Sequence, residues 1–284
     1  MSAPHEFFES AELELEYSPS SCVPSLDAYL TQYAELTRQA RALLAPTEHA
    51  YGRRPDELIE LYRPAAATEP APVLIYIHGG YWQQLGREDS GFMAPGLAAQ
   101  GIATAVIEYT LCPLTQLIGI VQQCRRAVHW VHSNAAGNGL DPNRITIAGS
   151  SAGAHLVAMC LLDPSTAATV RGGIALSGIY DLEPLVRTTV NDAVHLTLDE
   201  ARRLSPQRLV RPGSPHVMVA VGRNETSEFH RQSSEFADAW RHANNACDGS
   251  AIIENRNHFD LPLDLADPTT VVGGFATTMT NGHL

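Results

Sequence analysis

Little in this sequence points to a membrane, a nucleic acid or a metal. No apolar run approaches the ~20 residues that cross a bilayer, so no membrane is expected as a partner. The opening residues Met-Ser-Ala-Pro-His-Glu lack the basic and then apolar pattern of a secretory signal. The five cysteines (Cys22, Cys112, Cys124, Cys160, Cys247) are scattered, odd in number and in no C-x-x-C pair. Free, mostly buried thiols in a reducing compartment are the expectation, and with them a cytoplasmic location. There is no H-E-x-x-H, no ligand cluster at zinc spacing, no Walker loop and no G-x-G-x-x-G at Gly149 to Gly153, so neither metal nor cofactor is expected. Positive charge is scarce: 19 Lys and Arg face 31 Asp and Glu, a formal net charge of -12. That balance excludes nucleic acid and anionic membrane as natural partners. It leaves a small anionic substrate open, because a local arginine outweighs a distant surface field.

What is present fits one globular unit. The 284 residues, 44% of them hydrophobic, are enough for a sizeable core. No internal repeat or low-complexity linker divides them, which predicts a single domain over 1–284. Residues 1–20 are rich in Glu and Ser without a steady period and read as a surface arm. Leu26, Leu30, Tyr33, Leu36, Ala40 and Leu43 recur at three- and four-residue steps, predicting an amphipathic helix over 24–45. Residues 57–62 suggest an antiparallel edge strand, and the wholly apolar 73–77 a strand covered on both faces. From there strands (102–109, 144–148, 173–177, 216–221, 250–254) alternate with helices (116–132, 154–162, 229–244, 269–279). This alternation predicts an α/β fold with a mostly parallel sheet and helices on both faces. The one long irregular stretch, 180–198, is too short for a large lid.

The chemistry centres on Gly149-Ser150-Ser151-Ala152-Gly153, a G-x-S-x-G between a predicted strand and a predicted helix. A sharp strand-to-helix turn of this kind pushes its central side chain, Ser151, out above the sheet. Unpaired amides at the helix start favour a developing negative charge beside it. Upstream, 73–77 ends in His78-Gly79-Gly80-Tyr81-Trp82. A glycine pair past a buried strand frees backbone amides to face a ligand, and with the amide of Ala152 the Gly79, Gly80 and Tyr81 loop forms a candidate oxyanion hole. His78 reads as a ring that fixes this loop. Tyr81 and Trp82 fit either core packing or an aromatic substrate wall. A serine needs a base, and His258 follows the last strand, the position this order of residues demands. The acid should follow strand 216–221. Glu225, in the loop, is the first choice and Glu228, entering the next helix, the second. His155, one turn beyond Ser151, reads as packing.

Together these residues resemble the α/β-hydrolase superfamily, and within it the kynurenine formamidase (arylformamidase) branch. The resemblance is carried by residues 78–82, Tyr109 with Pro113, residues 149–155, Ser205-Pro206, residues 228–232 and Asn257-His-Phe-Asp260. It implies Ser151 as nucleophile, Glu225 as acid, His258 as base, an oxyanion hole of backbone amides, no cofactor and a small-molecule substrate. The family generally has Asp where this chain has Glu225. The expected activity is removal of a small acyl group, formyl above all, from an aryl or vinylogous amide. A short-chain carboxylesterase is the alternative enzyme, and a ligand-binding homologue without chemistry the alternative of another class. A homodimer is permitted; the sequence does not choose an oligomeric state.

Overall fold

A computed structural model describes residues 8–65 and 69–282. The eight strands are β1 (Thr47–Ala50), β2 (Leu58–Tyr62), β3 (Ala71–Ile77), β4 (Ala103–Ile107), β5 (Leu140–Ser150), β6 (Gly172–Leu176), β7 (His216–Asn224) and β8 (Cys247–Asn257). The helices are α1 (Ser10–Glu16), α2 (Leu26–Leu44), α3 (Ala94–Ala99), α4 (Leu117–Asn134), α5 (Ala152–Leu161), α6 (Pro164–Ala167), α7 (Asn191–Val194), α8 (Leu198–Arg203), α9 (Ser227–His242) and α10 (Val271–Asn281). One sheet runs in the order β1-β2-β4-β3-β5-β6-β7-β8. β1 and β2 are antiparallel additions; from β4 to β8 every pairing is parallel.

The core follows from the two-residue period of a strand. Ile75, Ile77, Ile147 and Val219 face one layer, with Val121 and Val128 of α4, Val157 of α5 and Phe236 of α9. Leu74, Tyr76, Ala148 and Met218 face the other, with Tyr33 of α2, Leu97 of α3 and Val272 of α10. Both sheet faces are thus covered, which is why these strands read as unbroken apolar runs.

The sheet also positions the site. β3 pairs with β4 on one side and with β5 on the other, so the winding direction reverses there. Ligand crevices in open α/β sheets open at such a point, beyond the carboxyl ends of the strands. Ile77 pairs with Gly149, which brings the loop after β3 beside the turn after β5. Asn224 pairs with Asn257, which brings Glu225 beside His258.

Three expectations change. β2 is not the edge of the sheet, because β1 pairs outside it; β1, Thr-Glu-His-Ala, is too short and too exposed to carry a pattern. The surface arm is also wrong for residues 10–20. Leu13 of α1 and Tyr17, the residue that ends it, lie one turn apart and are buried, so this segment packs into the fold; residues 1–7 lie outside the described residues. Finally, 180–198 is not structureless: a 3-10 turn (Pro184–Arg187) and α7 fall within it, and α8 begins at its end. The α2 bounds have clear causes. Ser25 accepts the Ala28 amide as N-cap, and Ala45 turns left-handed before Pro46.

Candidate active site

β5 ends and α5 begins across Ser151, which holds φ 57° and ψ -122°, a conformation strange to L-residues. Its amide is tied to the Leu176 carbonyl at 2.8 Å, and its carbonyl accepts from Ala154 and His155 in the first turn of α5. The flanking glycines are demanded by close approach. A Cβ on Gly153 would collide with the carbonyl oxygen of Ile77. One on Gly79 would lie 2.7 Å from the Ser150 carbonyl oxygen and 3.2 Å from Ser151 Cβ, so the loop after β3 touches the serine turn directly.

That loop has its own bracing. Gly80, Tyr81 and Trp82 are all left-handed, and the Gly80 carbonyl accepts the amides of Gln83 and Gln84 at 2.9 and 3.0 Å. His78 stacks on Tyr109 at 4.1 Å, and its Nε2 lies 3.3 Å from Glu108 Oε1. Burial works against ionisation of Glu108, but His78 and the amides of Arg87 and Tyr109 outweigh it and hold the carboxyl below its usual range. The Tyr109 hydroxyl donates to the carbonyls of both His78 and Gly79.

Across the crevice, His258 Nδ1 donates to Glu225 Oε2 at 2.7 Å. The other oxygen, Oε1, accepts from Ser177 Oγ at 2.6 Å and from the Gly222 amide at 2.7 Å. The carboxylate is 1% exposed and fully engaged. Phe229 meets the imidazole edge-on at 4.6 Å. The loop around His258 is closed by a clasp: Asn257 donates to Asp260 and accepts the amides of Phe259 and Asp260. Ser151, His258, the Gly79–Tyr81 backbone and the rings of Tyr33, Phe92 and Phe259 line one pocket of about 340 Å³.

The chain is 33% identical over 275 residues to a zebrafish (Danio rerio) kynurenine formamidase, covering 90% of this chain and 91% of that protein. The chain belongs to the kynurenine formamidase-like α/β-hydrolases. The salmon (Salmo salar) kynurenine formamidase matches at 32% over the same shares. A family model described as BD-FAE matches residues 59–170. A solved structure from Silicibacter sp., provisionally described as a thioesterase, superposes with a TM-score of 0.82 at 28% identity, over 94% of this chain and 99% of that one. The protein is an enzyme of the hydrolase class.

Within this hydrolase the residues singled out in the sequence separate clearly. Ser151, His258, Gly79, Gly80 and Tyr81 meet at the pocket, and Glu225 stands behind His258. Glu228 has a different setting. It is buried against Arg231, which holds it at 2.7 Å through both Nε and Nη2, and it accepts the Tyr17 hydroxyl at 2.6 Å. Trp82 is no substrate wall: it is wholly buried and meets His155 edge-on at 5.1 Å. His155 is core, its Nε2 bonded to the Leu204 carbonyl, and burial lowers its pKa to about 4. Tyr81 lines the pocket and donates its hydroxyl to the Tyr17 carbonyl at 2.5 Å.

Two elements escaped the sequence reading. Ser177, left-handed at the end of β6, steadies Glu225; its only signal was a small polar residue closing a buried strand. The second is α1. Glu16 accepts the Glu228 amide and the Ser227 hydroxyl, so it caps α9 from a distance; Glu14 takes the amide and hydroxyl of Thr189. The Leu13 to Tyr17 spacing could have revealed a buried face. Burial first, and then the Glu228 carboxylate, push the Tyr17 phenol well above its usual pKa, so it stays a donor. Tyr17→Phe should therefore destabilise the fold by about 1.5–3 kcal/mol, the worth of a hydrogen bond to a charged group. A urea midpoint unchanged from wild type would show that the bond contributes nothing.

Proposed function

We propose that this chain is a serine hydrolase that removes a formyl group from an aryl or vinylogous amide. The observation that carries the mechanism is the buried Glu225–His258 pair facing the same pocket as Ser151. Glu225 fixes the proton of His258 on Nδ1, which leaves Nε2 free to take the Ser151 proton. Ser151 then adds to the carbonyl carbon. The amide groups around Gly79, Gly80, Tyr81 and Ala152 receive the oxyanion, each donor worth about 3 kcal/mol at the transition state. His258 returns the proton to the departing amine. Water, deprotonated by His258, releases formate from the acyl-enzyme. An aryl or vinylogous amine leaves more easily than an alkyl amine because its nitrogen is less basic.

The formyl preference is supported by the two kynurenine formamidases among the relatives and by the shape of the pocket. Tyr81 lines the same pocket as the serine, while Tyr33, Phe92 and Phe259 supply flat apolar surface suited to a planar leaving group. The test is a series of acyl groups on one aryl amine. Each methylene that a fitted pocket must accommodate costs about 1–3 kcal/mol, roughly 10–200-fold. kcat/KM should fall steeply from formyl to acetyl to butyryl. Equal rates for formyl and butyryl would replace this reading with the short-chain esterase.

A further inference from the structure

The pocket is electrostatically one-sided. Every Lys or Arg of the chain is an arginine, since the sequence contains no lysine, and among the described residues no arginine lines the pocket. Two carboxylates do, Glu14 and Asp89. Glu14 has both oxygens committed to Thr189. Asp89 is different: burial pushes its carboxyl above the usual range against the pull of His78, and among the described residues its carboxylate has no side-chain hydrogen-bond donor.

Asp89 is also held in place. It closes the short turn Arg87–Asp89, and the residues on either side are anchored. The Arg87 amide donates to Glu108 Oε2 at 2.9 Å, Ser90 Oγ donates to the Gly86 carbonyl at 2.6 Å, and the Gly91 amide donates to Thr37 of α2 at 2.9 Å. Half-buried on this fixed turn, Asp89 shares the pocket wall with His78, Tyr33 and Phe92. A carboxylate so placed favours a cation and repels an anion, and the net charge of -12 works in the same direction at longer range. The anionic substrate that composition alone left open finds no arginine here.

We infer that Asp89 is a specificity residue, selecting substrates whose leaving group carries an ammonium. This rests on the deformylase reading of the same pocket. The experiment uses formanilides with side arms of equal length ending in an ammonium, a methyl or a carboxylate, and phenyl acetates with the same three arms. Wild-type kcat/KM should rank ammonium, methyl, carboxylate, with about two- to fivefold between the first two, the size of one partly exposed charge pair. Salt should shrink that ratio. In Asp89→Asn, and independently in Asp89→Ser, the ratio should collapse towards one. A wild-type enzyme indifferent to the arm, or one preferring the carboxylate, overturns the inference whether or not the variants fold. A preference that survives in both variants also overturns it. Formanilides that turn over without regard to the arm sink Asp89 and keep the deformylase. Acetates that show the ranking while formanilides are inert keep Asp89 and sink the deformylase.

Discussion

Ser151→Ala leaves a folded protein with turnover reduced about a million-fold, the scale seen when a hydrolase loses its nucleophile. Alanine keeps the Cβ and the backbone of the turn, so the ties of Ser151 to Leu176, Ala154 and His155 persist. Among the described residues the hydroxyl has no hydrogen-bond partner, so stability should change by no more than about 0.5–1 kcal/mol. What vanishes is the atom that, in the proposed reaction, bonds to the substrate carbon. An organophosphonate checks this directly. Wild type should carry the label on Ser151 and the variant none. A label on any other residue, or a variant within a hundredfold of wild type, would move the nucleophile elsewhere.

Glu225→Gln should lower kcat about ten-thousand-fold, because an amide at this position can present a donor to His258 and favour the wrong tautomer. Glu228→Gln should act through stability instead. Its carboxylate and Arg231 are both largely buried, and breaking a buried pair from one side costs about 3–5 kcal/mol. The two variants therefore separate on two axes. The first loses its turnover even at temperatures where it is fully folded; the second melts early and, below its transition, keeps most of its turnover. The reverse pattern would show that Glu228 is the acid.

The contrast between these two glutamates also shows what a sequence can carry. The strands were legible because burial on both faces forces unbroken apolar runs at 73–77, 144–148 and 216–221. The serine turn was legible because Gly153 stands where any side chain would strike the Ile77 carbonyl. Position in the loop favoured Glu225, yet only the pairing of Asn224 with Asn257 puts it against His258. Contacts between distant segments leave no periodic trace. Tyr17 and Glu228 are separated by 211 residues, and nothing local in the Glu-rich start announces that bond. Trp82 misled for a related reason. Only Tyr81 separates it from the glycine pair, but its ring is buried in the core while Tyr81 stays at the pocket.

The backbone at Ser151 has an evolutionary consequence. Its φ of 57° and ψ of -122° fall where glycine is at ease and every other residue is disfavoured by about 1–3 kcal/mol. Serine and alanine bear that penalty alike. Glycine would escape it. Selection for robustness alone would therefore let this position drift to glycine, and each such step would make a sturdier, silent protein. If Ser151 carries the proposed reaction, its strained backbone is stability given up for chemistry.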